Sequence, residues 1–138
     1  MVATAVLAAD QLTKSFFVTY LAVGASRPVL PPILQVTLVY NTGAAFGLFK
    51  GQRTLFIGLS VVVIAWIGWE LLTKPSRRAV ALWGCALILG GAVGNLIDRL
   101  LYGAVIDFID FRIWPVFNIA DSAVTISVVF LIILLWKK

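Results

Sequence analysis

The sequence predicts an all-α membrane protein that has four transmembrane helices, both termini in the cytoplasm and a small extracytoplasmic β-platform. Of its 138 residues, 62% are hydrophobic and only 12% are charged, and the mean hydropathy is +1.05. Soluble domains carry about 25% charged residues, so this chain could not cover a soluble fold with a polar surface. A helix needs about 20 residues to cross a bilayer. Four spans and their loops therefore account for residues 1–138 as a single domain.

Four apolar stretches predict the helices, which cover residues 2–21, 55–73, 79–99 and 117–136. The first stretch is not expected to be a cleavable signal peptide, because it lacks a basic n-region and is interrupted by Asp10 and Lys14. A charged side chain at the bilayer centre costs from about 2.5 to more than 10 kcal/mol. The charged residues inside these stretches are therefore the first candidates for function.

Basic residues near the helix ends predict the orientation of the chain. They cluster in residues 74–78 and at residues 137–138, and the positive-inside rule places such clusters in the cytoplasm. Both termini are then cytoplasmic. Residues 22–54 and 100–116 are expected on the outer side of the membrane.

The outer segment between the first two helices predicts the β-platform. Residues 34–40 are rich in β-branched side chains, which is typical of a strand. Two glycines within residues 41–47 predict a turn after that strand. We expect this platform to lie on the bilayer surface.

The composition also excludes several kinds of chemistry. Histidine is absent and Cys85 is the only cysteine, which excludes internal disulfides, His/Cys zinc sites, Cys–His nucleophiles and Ser–His–Asp triads. The sequence predicts no metal and no cofactor, so hydrolysis would have to use carboxylates or lysine. The net charge of +5 does not indicate nucleic-acid binding, because the cations lie at the ends of apolar runs and not on one polar face.

Polar groups on the third and fourth helices are expected to meet at one depth in the membrane. Asn95 lies about 24 Å along its helix from Ala79, and Asp121 lies about 22 Å from Trp136 on a helix that runs the other way. Because lipid offers polar groups no partner, they turn towards each other. A purely structural role would also explain Asn95 and Asn118: each would form hydrogen bonds between helices that contribute about 1–2 kcal/mol.

Several of the charged residues have a structural interpretation. Asp10 and Lys14 are four residues apart on one helix face, which predicts an ion pair. Asp98 is expected to pair with Arg99 or to anchor the helix end beside it. Asp110 is expected to be a solvated loop residue.

Asp107 and Asp121 are harder to explain structurally. Asp107 lies in the short connection between the third and fourth helices, and neither residue has a cation within four positions in sequence. Two buried carboxyl groups side by side share one proton, as in aspartic proteases. The residues alone leave hydrolysis and proton-coupled transport both open, with a non-enzymatic assembly subunit as a third class. A carrier would be expected to show inverted repeats, and a single Asn-x-x-Asp echo is little support for one.

Five separated segments resemble the signature blocks of bacterial lipoprotein signal peptidases (signal peptidase II). They occur in the family's order and cover essentially the whole chain: residues 10–14 (Asp-Gln-Leu-Thr-Lys), 41–46 (Asn-Thr-Gly-Ala-Ala-Phe), 94–99 (Gly-Asn-Leu-Ile-Asp-Arg), 105–108 (Val-Ile-Asp-Phe) and 117–121 (Phe-Asn-Ile-Ala-Asp). The resemblance implies a four-helix aspartic endopeptidase of the bacterial cytoplasmic membrane, with its active site on the extracytoplasmic side. Such enzymes remove signal peptides from prolipoproteins immediately before a diacylglyceryl-modified cysteine. Globomycin-type cyclic peptides inhibit them. We expect a monomer whose partners are prolipoprotein substrates and membrane lipid, and not nucleic acid.

The resemblance also implies roles for individual residues. The catalytic pair of the family falls on Asp107 and Asp121. Polar residues that line the family's cleft, and that would hold the substrate backbone or support the pair, match Asn41, Asn95, Arg99 and Asn118. Asp10 and Lys14 match a block whose role is structural. On spacing alone, and apart from the resemblance, Asp98 ranks second as a catalytic candidate.

Overall fold

Four helices and one three-stranded sheet make up the described part of the chain, which in this computed structural model comprises residues 1–44, 48–73 and 79–136. The helices are α1 (Val2–Tyr20), α2 (Arg53–Thr73), α3 (Ala79–Tyr102) and α4 (Ile119–Trp136). The strands are β1 (Ser26–Leu30), β2 (Leu34–Asn41) and β3 (Val105–Asp110). The prediction of a helical fold with a small sheet is confirmed.

Two helix ends differ from the predicted ones in ways that shape the site. α3 continues to Tyr102, beyond its predicted end at residue 99, so Arg99 lies in its last turn. α4 begins at Ile119 and not at residue 117, because Asn118 caps it. The side-chain Oδ1 of Asn118 accepts a hydrogen bond from the backbone N–H of Asp121 at 2.8 Å, which satisfies one of the free donors of the first turn.

α3 is the central helix and packs against α1, α2 and α4. Two adjacent glycines allow this close packing. A Cβ atom on Gly90 would lie 2.6 Å from the carbonyl oxygen of Ala3, and one on Gly91 would lie 2.6 Å from the carbonyl oxygen of Ala120. Small residues let membrane helices approach closely. α1 and α4 therefore bring their polar residues against α3 from two sides.

The outward faces of the helices are largely apolar. On α2, Ile67 is buried but Trp66 is 61% exposed, as expected where the surroundings are lipid. α2, with a mean hydropathy of 2.2, and Ala81–Tyr102 of α3, with 1.5, are long and apolar enough to cross a membrane. The count of four spans and the side of each terminus stay predictions. The basic clusters at residues 74–78 and 137–138 lie outside the described residues.

The strands are antiparallel and run in the order β1-β2-β3. β2 confirms the strand predicted over residues 34–40, whereas β3 replaces the short connection expected around Asp107. β3 pairs Asp107 with Val39 and Val105 with Asn41. Most of β3 is buried, and the strand contacts α1 and α3. The sheet thus holds Asp107 against the polar residues of the helices.

Candidate active site

Asp107 lies on β3 and its side chain is almost completely buried, with 1% exposed. Two amides hold its carboxyl group: Asn41 Nδ2 donates to Oδ2 at 3.0 Å, and Asn118 Nδ2 donates to Oδ1 at 2.7 Å. Burial, and then the negative charge of Asp121, raise the pKa of Asp107 to about 7, although the amide hydrogen bonds act in the opposite direction. Asp107 can therefore hold a proton at a much higher pH than an ordinary aspartate.

Asp121 lies in the first turn of α4, close enough to Asp107 for the two charges to interact. A carboxylate in this position is stabilised by the helix dipole. Asn95 Nδ2 on α3 donates a hydrogen bond to Asp121 Oδ1 at 2.7 Å. The contact predicted from the matching depths on the third and fourth helices is therefore confirmed.

Asn95 and Asn118 form a linked pair between the two carboxyl groups. Asn118 Nδ2 lies 3.1 Å from Asn95 Oδ1 and also donates to Asp107. Each aspartate therefore receives an amide N–H from one member of the pair. Asn95 and Asn118 do form the hydrogen bonds that their structural interpretation predicts. The same side chains also bind the two aspartates, so they belong to the site.

Both carboxyl groups line one cavity of about 660 Å³, a size typical of ligand sites. Its polar lining includes Asn41, Asn95 and Arg99. Much of the remaining lining is apolar and includes Phe111, Trp114, Phe117 and Ile126. Within residues 1–44, 48–73 and 79–136, no group of three or more acidic or cysteine side chains is arranged to hold a metal ion. The cavity can present two carboxyl groups to a ligand that is partly apolar.

A buried ion cluster of Asp10, Lys14 and Asp98 joins α1 to α3. Lys14 Nζ lies 2.7 Å from Asp10 Oδ2 and 2.7 Å from Asp98 Oδ2, and all three residues are at most 1% exposed. The predicted Asp10–Lys14 pair is confirmed. The predicted pairing of Asp98 with Arg99 is wrong, because consecutive residues on a helix point in different directions and Asp98 faces α1.

This cluster also holds the backbone beside both site aspartates. The N–H of Ala120 donates to Asp10 Oδ1 at 2.9 Å, and the N–H of Ile106 donates to Asp98 Oδ2 at 3.1 Å. Ala120 and Ile106 directly precede the two site aspartates in sequence. The cluster therefore supports the site by holding the backbone next to each aspartate.

Arg99 brings a positive charge to the cavity wall. Its Cζ atom lies 5.1 Å from the centroid of the Phe56 ring, within the range of a cation–π interaction. Arg53, at the start of α2, donates to the backbone carbonyl groups of Arg99 and Leu100 at 2.8 and 3.0 Å. α2 therefore fixes the end of α3 from which Arg99 projects.

The predicted environment of Asp110 is wrong. Asp110 is not a solvated loop residue but the largely buried last residue of β3. Its Oδ2 accepts hydrogen bonds from Gln35 and Thr37, both at 2.7 Å, and its Oδ1 accepts one from the backbone N–H of Arg112 at 2.7 Å. Burial alone would raise the pKa of Asp110, but these hydrogen bonds and the charge of Arg112 lower it.

The aromatic wall of the cavity is a feature that sequence reasoning missed. Phe111, Trp114 and Phe117 come from the segment between β3 and α4, and the rings of Phe111 and Phe117 stack with centroids 5.9 Å apart. The signal available in the sequence was their three-residue spacing beside Asp107. This spacing alone does not show that the three rings share one wall, because their positions depend on where β3 ends.

Helices with apolar outer faces, packed around paired carboxyl groups in a shared cavity, indicate a membrane enzyme. Two solved structures described as a bacterial membrane enzyme share this fold, with TM-scores of 0.93 and 0.90. Each is 36% identical to this chain and matches 99% of it, over 85% and 91% of their own chains respectively.

The Signal peptidase (SPase) II family model matches residues 2–137, and the chain belongs to this family of peptidases. The lipoprotein signal peptidases of Halothermothrix orenii and Moorella thermoacetica are each 44% identical to it, over 133 and 137 residues. These matches cover 96% and 99% of this chain, and 91% and 89% of the relatives. The resemblance carried by the five sequence segments is thereby confirmed. Family membership favours hydrolysis over proton-coupled transport and over a non-enzymatic subunit.

Proposed function

We propose that this protein is an intramembrane aspartic endopeptidase that removes signal peptides from prolipoproteins immediately before the diacylglyceryl-modified cysteine. The observation that carries the proposal is the pairing of Asp107 and Asp121 on one partly apolar cavity, each held by an amide N–H. Relatives that match nearly the whole chain bear the name lipoprotein signal peptidase, which supports this substrate class.

In the proposed reaction, Asp107 starts protonated and Asp121 starts ionised. Asp107 is almost completely buried on β3, whereas Asp121 lies at a helix N-terminus, which favours its negative charge, and accepts the Asn95 N–H. A water molecule between them gives a proton to Asp121, and the water oxygen attacks the scissile carbonyl carbon. Asp107 polarises the carbonyl oxygen and gives its proton to the leaving amine as the C–N bond breaks. The pair then holds one proton on Asp121, and proton exchange restores the starting state.

The polar wall of the cavity has a second task in this scheme. Negative charge develops on the carbonyl oxygen during the attack, and donors already in place stabilise it at no cost of reorganisation. Arg99 and the asparagine side chains that line the cavity can donate such hydrogen bonds. We assign stabilisation of the oxyanion to these residues.

The proposed location is the bacterial cytoplasmic membrane, with several spans and with the cavity open to the extracytoplasmic side. The apolar lining would accept the signal peptide next to the bilayer, while the acyl chains of the modified cysteine stay in the lipid. Prolipoproteins and membrane lipid are the proposed partners of a monomeric enzyme. Globomycin-type cyclic peptides would inhibit by occupying the same cavity.

Cleavage of a defined lipopeptide tests this proposal. The purified protein in lipid nanodiscs is incubated with a synthetic peptide that carries a signal sequence followed by a diacylglyceryl-modified cysteine. Mass spectrometry is expected to find a single cut on the N-terminal side of that cysteine. The same peptide with an unmodified cysteine is the matched control and should be cut far more slowly. An intact diacylated peptide would overturn the proposal, and equal rates on both peptides would overturn recognition of the lipid.

A further inference from the structure

Lys14 connects the buried ion cluster to the catalytic pair. Besides its ion pairs with Asp10 and Asp98, its ammonium group donates a hydrogen bond to Asn95 Oδ1 at 3.1 Å. The amide of Asn95 then donates through Nδ2 to Asp121 Oδ1 at 2.7 Å. A single side chain therefore lies between a fully buried cation and the carboxylate that acts as base in the proposed reaction.

The amide of Asn95 can perform this task in only one orientation. Its oxygen accepts hydrogen bonds and its nitrogen only donates them. If the amide were turned over, its NH₂ group would face the ammonium group of Lys14 and the NH₂ group of Asn118, and its oxygen would face the Asp121 carboxylate. Lys14 and Asn118 thus both select the observed orientation. Of the two, only Lys14 also polarises the amide with a positive charge.

We propose that Lys14 is a positioning residue for the base of the reaction: its ammonium group fixes and polarises the Asn95 amide, which keeps Asp121 ionised and correctly oriented. This inference rests on the proposed function, because it requires Asp121 to take a proton from water. It gives a catalytic consequence to a side chain that is 1% exposed and does not line the cavity among the described residues.

Other charges also act around Asp121, and the test has to separate their effects from that of Lys14. They are Lys14 and Asp10 on α1, Arg99 on α3 and Asp107 on β3, and Asp98 joins the set through its ion pair with Lys14. In this set the two cations favour the ionised form of Asp121, and the three carboxyl groups disfavour it when they are ionised. Lys14 differs from Arg99 because it reaches Asp121 through a hydrogen-bonded amide.

The test is the pH dependence of kcat/KM for the diacylated lipopeptide. The acid limb of that profile reports ionisation of the catalytic base in the free enzyme. Lys14→Met keeps an unbranched side chain without the charge, and the midpoint of the acid limb is expected to rise by about one pH unit. A residue with only a structural role would lower the whole profile and the melting temperature without moving that midpoint.

Two further variants keep the test informative if Lys14→Met does not fold. The double variant K14M/D98N removes one charge of each sign, so the ion cluster keeps its net charge of about −1. Its acid limb is expected to lie higher than that of Asp98→Asn alone. Gln11→Leu is the structural control, because Gln11 donates to Asp10 and Asp98 at 3.2 and 3.0 Å and its hydrogen bonds do not involve Asn95. That variant should melt earlier with an unchanged midpoint.

The outcomes distinguish the two proposals. If the wild-type protein leaves the diacylated peptide intact, the proposed function is wrong whatever the variants do. If the wild type cleaves, but Lys14→Met keeps the wild-type acid-limb midpoint and K14M/D98N keeps the midpoint of Asp98→Asn, only the role of Lys14 is wrong. A shift in Gln11→Leu as large as that in Lys14→Met would also contradict it, since general loosening of the cluster would then explain both.

Discussion

Replacement of Asp107 by asparagine is expected to remove much of the pH dependence of folding stability. The pKa of Asp107 is about 7 in the folded protein, against an ordinary value of 3.8. Below the ordinary value, the group is protonated in both states, and its contribution to stability is fully present. As the pH rises towards 7, the carboxyl group ionises in the unfolded chain first, and the native state loses that contribution.

The size of the effect follows from the difference between the two pKa values. One pKa unit corresponds to about 1.4 kcal/mol, so the shift of about three units makes the loss at most about 4 kcal/mol between roughly pH 4 and pH 8. The side chain is 1% exposed, so solvent does little to screen the effect. Asp107→Asn cannot ionise and escapes this loss. Its NH₂ group opposes the N–H of either Asn41 or Asn118, which lowers stability by a constant amount at every pH.

Thermal unfolding in detergent, followed by circular dichroism across this pH range, measures the difference between wild type and variant. The stability of Asp107→Asn relative to the wild type is expected to increase as the pH rises. Asp110→Asn is the matched control and should show no such gain on the wild type across this range. The pKa of Asp110 is lowered from its ordinary value of 3.8, so the stability that Asp110 contributes is fully present above that value and is lost only as the pH falls below it. Parallel curves for the wild type and Asp107→Asn would refute the reasoning.

Three further predictions concern stability, pH and topology. Asp98→Asn should cost about 3 kcal/mol of stability, since it breaks one buried ion pair, while turnover falls less; a folded but inactive variant would place Asp98 in the catalytic site. The kcat/KM for the lipopeptide should decline above about pH 7 as Asp107 loses its proton, and a profile without that decline would contradict a protonated Asp107. In a Cys85→Ala background, Ser76→Cys should resist an impermeant thiol reagent in intact cells and Gln52→Cys should react. The reverse labelling pattern would place the cavity on the wrong side for a secreted substrate.

The parts of the fold that the sequence predicts well are those set by one dominant interaction. Hydropathy locates the four helices to within a few residues, because the cost of exposing polar backbone to lipid permits few alternatives. The Asn95–Asp121 contact follows from the rise of a helix and from the lack of polar partners in lipid. Both inferences need only distances along the chain.

The parts that the sequence does not predict depend on competition between similar partners. Asp98 has Arg99 beside it in sequence but pairs with Lys14, and the choice depends on the rotation of α3 against α1. β3 is a mostly buried segment of six residues in which two aspartates interrupt the apolar ones, so it shows neither the continuous apolar run nor the strict alternation that predicts a strand. The burial of Asp110 depends on Gln35 and Thr37, which β2 supplies from more than seventy positions away.

The most direct test of the central claim compares cleavage by Asp107→Asn, Asp121→Asn and the wild type. Each protein is purified in nanodiscs, checked for fold by circular dichroism, and given the diacylated lipopeptide, with Asp110→Asn as the control carboxylate outside the cavity lining of the described residues. If Asp107 and Asp121 act as one acid–base pair, each site variant should fold and lose about 100- to 10,000-fold in kcat, while Asp110→Asn keeps most of its activity. A folded Asp107→Asn or Asp121→Asn protein with wild-type turnover would contradict the account.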